Sequence, residues 1–500
     1  MAIIDARTLP NASRIEADLI IIGGGMAGIA LAKELANGPL KVAILESGGM
    51  EIEGDNQALY AGACVQRAPG NPDRPFDTYP IQSRVRALGG SGNVWGGKCA
   101  PLDPADFAER DWIPHSGWPV TREDMQPYYH RACDLLEIPR FSLEGYASSD
   151  PGRQPLALDA ADGFFPAPRE VSKLSGGSDK AAFDVFRTRF AEAPNITVYL
   201  YANVTRIRRR GSEIVGLDVA CLSGQRHEAR AARYVLAVGG IENVRLLMAS
   251  GNLGNQHDLL GRFFQGHVTY AAEGDDEAEG TAVTLTSSAP MDLYAPAGRV
   301  AHCVIGAGLR AQKRLKTGNF TATLFRATTT NPDTQAIAKT GGRLTGRGDG
   351  QVLGYFAMTE HFPNPDSRVT LLADHKDALG MPRVSLDWAY GERDFPDMER
   401  SVAGLADALG ASGEGRLCWS IPRDKLLGIS SASRHHMGTT RMHADPTKGV
   451  VDPDLRLHEA RNLYVAGSSV FPTSGIANPT LTILALVMRL ADHLKRETAR

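Results

Sequence analysis

The first strongly apolar run, "DLIIIGG" at residues 18–24, is rich in β-branched residues and stops at glycine. "MAGIALAKELAN" follows with apolar positions at helical spacing, and "KVAILES" is a second run of the buried type, closing on Glu46. Strand, glycine turn, helix and strand in that order predict a βαβ unit. "TREDMQPYYHRACDLLEI" predicts a helix with Thr121 as its N-cap and Asp124 in the first turn. "NITVYLYANVTRIRR" and "EIVGLDVACL" read as strands, and "RYVLAVGGIENVRLLMASG" repeats the strand, glycine turn, helix theme near residues 233–251. Between residues 266 and 430, alternating segments such as "RVAHCVIGAGL", "QVLGYFAMTEHF" and "SRVTLL" predict a separate, mostly antiparallel sheet. The end returns to α/β character, with "NLYVAGSSVFP" as strand and turn and "NPTLTILALVMRLADHL" as a long helix with an apolar face. No repeat of fixed period appears.

The expected fold class is therefore α/β: a Rossmann-like dinucleotide domain, discontinuous in sequence, plus a substrate domain whose antiparallel sheet is flanked by helices. A chain of 500 residues exceeds what one growing core accommodates. Residues 15–150, 195–265 and 432–500 are assigned to the dinucleotide domain, and 151–194 with 266–431 to the substrate domain.

Charge narrows the partners. A net charge of −3 and 43% hydrophobic residues describe an ordinary soluble protein, with no electrostatic reason to expect nucleic acid or an anionic membrane. A small molecule is the default partner. The six cysteines (Cys64, Cys99, Cys133, Cys221, Cys303 and Cys418) form no C-x-x-C pair and read as reduced structural thiols. The N-terminus lacks a signal-peptide pattern and no apolar run reaches transmembrane length, so a cytoplasmic location is expected. The acidic run from Asp275 to Glu279 reads as a solvated loop.

Gly23-Gly24-Gly25-Met26-Ala27-Gly28 is a G-x-G-x-x-G sequence between a strand and a helix. Gly23 permits the tight turn, Gly25 lets a pyrophosphate approach the backbone, and Gly28 lets helix and strand pack closely. Phosphates then sit at the positive end of the helix, and Glu46 is placed to hydrogen-bond a ribose hydroxyl. The motif alone does not separate NAD from FAD.

Blocks along nearly the whole chain do. "DLIIIGGGMAGIALAKELA…VAILESG", "ALGGSGNVWGG", "VLAVGGIENVRLLMASG", "LLGRFFQGH" and the C-terminal "H-x-x-G-T-x-R-M…NPTLT" resemble, in order, the glucose-methanol-choline (GMC) flavin oxidoreductases, and most closely their pyranose-oxidase-like members. The resemblance implies FAD held by Gly23, Gly25, Met26, Ala27, Gly28, Glu46 and Ser47, with Val204 near the adenine. It also implies that Gly90, Ser91, Asn93, Val94, Trp95 and Gly96 run beside the flavin, joined by Gly239, Gly467, Ser468, Asn478, Pro479 and Thr480. Five glycines among residues 89–97 suit a close approach of backbone amides to a ligand. Some pyranose-oxidase-like members link flavin covalently to a histidine two positions after the equivalent of Gly92. Val94 stands there, so FAD is expected to be non-covalent.

His435, His436 and His443 cluster near the C-terminus. Counting back from Gly438, the resemblance singles out His435 as the histidine over the flavin, with Asn478 as its partner. Alcohol oxidation to a carbonyl needs a proton acceptor while hydride leaves for flavin N5, and a neutral imidazole suits that role. Asn478 can donate to the alkoxide-like oxygen; followed by Pro479, it is also a good N-cap for the final helix, whose N-terminus would stabilise negative charge on the reduced flavin. His436 and His443 read as structural, and His267 and His361 as weaker substrate-pocket candidates. A metal site is not expected, because adjacent histidines on extended backbone point apart and no ligand set completes them.

The expected activity is FAD-dependent oxidation of CH–OH on a sugar, glycoside or aminoglycoside-like molecule, with oxygen or a quinone-type acceptor. The alternatives are a choline-like, aryl or steroid alcohol, a non-redox flavin lyase, and a non-catalytic dinucleotide-binding protein.

Overall fold

Leu19–Ile22 and Val42–Leu45 are buried at every position, as strands covered on both faces must be. The computed structural model describes residues 2–141, 163–166, 170–172, 193–271, 282–285, 304–326, 336, 339–340, 351–413, 415–418 and 433–498. The acidic run Asp275–Glu279, Cys303 and most of 151–194 lie outside the described residues.

Six strands form one sheet: β1 (Ala2–Asp5), β2 (Leu19–Ile22), β3 (Val42–Leu45), β4 (Ile196–Leu200), β5 (Arg233–Leu236) and β6 (Leu463–Val465). Their order is β1-β4-β3-β2-β5-β6 and every pairing is parallel. The chain leaves β2 toward β3 on one side, while β5 pairs on the other side. This reversal makes the crevice beyond the carboxyl ends of β2 and β5 the natural ligand site. The helix Met26–Glu34 follows β2, the helix Gly240–Ala249 follows β5, and the final helix Thr480–Thr498 buries Leu481, Leu484, Met488, Ala491 and Leu494.

The helix Arg122–Leu136 begins as expected: Thr121 and Asp124 form a reciprocal capping box, and Glu137 ends it at φ 56°. The run 196–210, read as one strand, is divided. Tyr201 has φ 58°, and past it Asn203–Arg210 leaves β4 for a second sheet with Glu213–Ala220, Arg226–Arg230 and Arg14–Glu16.

The expected antiparallel sheet is present. Gly415–Cys418, Ala282–Leu285, Gln351–Glu360, Phe320–Arg326, Val304–Ala307 and Phe164–Pro166 neighbour one another in that order, and His267–Ala271 pairs with Gln351–Glu360. The hairpin of Arg368–Lys376 and Pro382–Ala389 instead joins Ala63–Arg67 and Arg74–Pro75, so segments read as belonging to different domains share one sheet. Cys64, Cys99, Cys133 and Cys221 are buried and unbridged. Among the described residues, no helix is long and apolar enough to cross a membrane.

Candidate active site

The turns after β2, β5 and β6 open onto one cleft of about 390 Å3. Gly23, Gly25, Met26 and Ala27 line it from the first turn, Gly239 from the second, Gly467 and Ser468 from the third, and Asn478, Pro479 and Thr480 from the start of the final helix. Glu46 and Ser47 close one end, and Gly90, Ser91, Val94, Trp95 and Gly96 form another wall. Glu46 is anchored: Gly24 N–H donates to Oε2 and Gly48 N–H to Oε1, both at 2.8 Å. Ser47 Oγ–H also donates to Oε1 at 3.2 Å, so three of a carboxylate's about four acceptor positions are used and one is left for a ribose hydroxyl.

The glycines serve two purposes. Gly239 (φ 85°) and Gly467 (φ 122°) adopt left-handed backbone beside open space, which lets the chain turn without placing a side chain in the cleft. Gly89, Gly90 and Gly92 are used differently: a Cβ on Gly90 would lie 3.0 Å from Gly25 Cα, and one on Gly92 would lie 2.7 Å from the Met26 side chain. The 89–93 turn is thus packed onto the dinucleotide turn, tied by Gly89 N–H donating to Gly24 O at 2.8 Å.

His435 faces this cleft. Its Nε2 lies 3.4 Å from Asn478 Nδ2, and its Nδ1 lies 3.0 Å from His267 Nδ1. The rest of the H-x-x-G-T-x-R-M motif builds the loop. Gly438 has φ 88°, and a Cβ there would sit 2.0 Å from Phe263 O. Thr439 Oγ1 donates to Gly240 O at 2.6 Å, Ser468 Oγ donates to His436 O at 2.7 Å, and Arg441 stacks over Phe263, where burial lowers its pKa to about 10. The loop carrying His435 is therefore fastened to the turns after β5 and β6.

The profile described as FAD dependent oxidoreductase matches residues 18–339, and that described as GMC oxidoreductase matches residues 363–486. The chain belongs to the FAD-dependent GMC oxidoreductases. It is 26% identical to a 6'''-hydroxyparomomycin C oxidase of Streptomyces lividus, across 96% of this chain and 92% of that one. It is 24% identical to the fructose dehydrogenase large subunit of Gluconobacter japonicus, across 96% and 98%. A pyridoxine 4-oxidase from Mesorbium loti has the same fold, with a TM-score of 0.58 at 20% identity, covering 96% of this chain and 99% of that one.

As a GMC oxidoreductase the protein uses FAD and acts on CH–OH donors. The cleft fits that cofactor: glycine turns with open space, a buried carboxylate with spare acceptor capacity and two parallel βα turns are what a dinucleotide needs.

Three expected cofactor residues do not line the cleft of this GMC oxidoreductase. Gly28 packs helix against strand, since a Cβ there would be 2.0 Å from Gly23 O. Asn93 turns inward, its Nδ2 donating to Leu88 O at 3.0 Å. Val204 sits on Asn203–Arg210 opposite Val219, held by that strand's departure from the parallel sheet. The capping expectation also shifts by one residue: Pro479 O accepts from Ile483 N at 2.8 Å, so Pro479 holds the N-cap position and the Asn478 side chain reaches His435 instead.

His436 is buried against Tyr79 and Phe264, and burial with Arg84 and His435 nearby lowers its pKa to about 3. His443 Nδ1 accepts from Asp445 N at 2.9 Å. His361 is buried beside Tyr390 away from the cleft, with its pKa lowered to about 4 by burial. Arg84, Lys98 and Arg434 line the cleft and were not expected from the sequence, whereas His267, expected as a weaker substrate-pocket candidate, lies buried behind His435 instead. Among the described residues, no group of three or more His, Cys, Asp or Glu side chains is placed to share an ion.

Proposed function

We propose that this GMC oxidoreductase oxidises a carbinol carbon of a sugar or glycoside, with His435 as general base and Asn478 as hydrogen-bond donor to the substrate oxygen. The observation carrying this reading is the His435 Nε2 and Asn478 Nδ2 pair, 3.4 Å apart on one wall of the cleft. Relatives named for a hydroxyparomomycin and for fructose support a polyhydroxylated substrate.

His435 takes the hydroxyl proton at Nε2 in its neutral form. Asn478 stabilises the oxygen as it gains charge, without itself changing protonation state. The fastened loop keeps both groups in register, which avoids an orientational cost during the reaction. Gly23, Gly25, Met26, Ala27, Glu46 and Ser47, with Gly90, Ser91, Val94, Trp95 and Gly96, would hold the cofactor, and the absence of a histidine at Val94 supports non-covalent binding. FAD, when bound, supplies the acceptor for the hydride leaving the carbinol carbon.

The test is anaerobic addition of a panel of sugars, glycosides and non-sugar alcohols to the yellow protein. A sugar or glycoside should bleach the flavin band near ~450 nm. Bleaching by non-sugar alcohols alone would overturn the substrate class. A flavin that dithionite reduces but no alcohol does would favour the non-redox reading. Hydrogen peroxide release in air separates oxygen from a quinone-type acceptor.

A further inference from the structure

Residues 265–267 and 433–437 run side by side in opposite directions. Gln265 and Met437 exchange both backbone hydrogen bonds, each at 3.0 Å. Two residues on from Gln265 and two back from Met437 stand His267 and His435. Their approach is secured a second time by the His267 N–H donating to Ser433 Oγ at 2.8 Å. The imidazoles meet edge to face at 4.9 Å between centroids, with the two Nδ1 atoms 3.0 Å apart. His435 lines the cleft, whereas His267 is fully buried behind it.

Two ring nitrogens at this distance share one proton: two lone pairs or two N–H groups would repel. Which ring donates follows from the other side of His435. Asn478 Nδ2 can only donate, so the Nε2 it faces at 3.4 Å presents a lone pair. The proton of neutral His435 is then on Nδ1.

We infer that His267 is a positioning residue for the oxidation: its Nδ1 accepts the His435 Nδ1–H and keeps His435 in the tautomer whose Nε2 can take the substrate proton. This rests on His435 being the base, as argued above. When Nε2 gains the proton, His435 becomes a cation and the bond to His267 becomes charge-assisted, about twice as strong as a neutral one. The contact therefore helps the proton-accepting state more than the resting state, which is the condition for raising a rate. His267 stays neutral, because a second buried cation beside His435 is disfavoured.

The test compares His267→Leu, which removes the acceptor, with His267→Asn, whose Oδ1 restores one near the Nδ1 position. Each holoenzyme is checked for flavin content and thermal midpoint, then reduced anaerobically by the best substrate of the panel. His267→Leu is expected to lower the limiting rate of flavin reduction by ~100-fold or more with the apparent substrate Kd nearly unchanged, and His267→Asn to recover to within about tenfold of the native rate, by analogy with loss of the correct tautomer in other histidine bases. A Leu variant as fast as the native enzyme, or Leu and Asn variants equally slow with native flavin content, overturns the inference. His435→Ala run alongside separates the two claims, since a native rate there would remove the base reading itself. Should His267→Leu not fold, the tautomer is read directly from nitrogen-15 histidine-labelled native holoenzyme, with His435 assigned by its loss in His435→Ala. A proton on Nδ1 supports the inference, and a neutral ring protonated on Nε2 overturns it.

Discussion

Glu242 holds three arginines beside the cofactor cleft. Its Oε2 accepts from Arg84 at 3.1 Å, and its Oε1 from Arg86 at 3.0 Å and Arg245 at 3.1 Å, while Arg245 also pairs with Asp377 at 2.6 Å. Replacing Glu242 by Gln removes the carboxylate that Arg84 and Arg86 bond and leaves Arg245 with Asp377. Burial alone would raise the Glu242 pKa, but Arg245, Arg86 and Arg84 outweigh it and lower it from 4.5 to about 2. That depression corresponds to about 3 kcal/mol at neutral pH, in line with the ~3–5 kcal/mol typical of removing one partner from a buried ion pair. Because the folded pKa is the lower one, this stability is present above about pH 4.5 and is lost as pH falls toward 2. Urea denaturation at pH 7, followed by circular dichroism and flavin release, should show Glu242→Gln unfolding at a clearly lower urea concentration. The gap to the native protein should narrow on acidification below pH ~4.5. Equal midpoints at pH 7, or a gap that widens in acid, would show that Glu242 does not stabilise the fold through these arginines.

Two further outcomes follow from the cleft. Gly28→Ala places a methyl group 2.0 Å from Gly23 O, so it should displace the first helix and yield protein with little flavin after gel filtration; full flavin content would contradict the packing role of this glycine. Denaturing the native protein should leave all flavin in the supernatant, and a yellow precipitate would contradict non-covalent binding.

Much of this architecture was legible because its signals are local. A β-branched run, a glycine turn and a largely apolar helix are contiguous, and Thr121 with Asp124 and His435 with Gly438 are close in sequence. What stayed hidden depends on pairings distant in sequence. His267 meets His435 across 168 residues, and Arg84 meets Glu242 across 158, with no pattern near either residue to announce the partner. The division of 196–210 was hidden for a different reason: the turn is made by Tyr201 at φ 58°, a residue that normally favours strands. Val204 consequently lies on a second sheet outside the cleft lining. Asn478 looked like a cap because Asn-Pro suits one, but Pro479 O takes the first helical bond and releases the Asn478 side chain to the cleft. In the 89–97 segment the glycine count pointed correctly to close backbone approach, although part of that approach is to Gly25 and Met26 rather than to the ligand.

In the proposed mechanism His435 removes the substrate proton. The most direct test of this step is the rate of anaerobic flavin reduction by the preferred sugar or glycoside, in native enzyme and in His435→Ala of equal flavin content. A general base contributes about 100-fold or more, so reduction in the variant should slow by at least that factor while the bound flavin keeps its yellow spectrum. Reduction at the native rate would show that His435 is not the base.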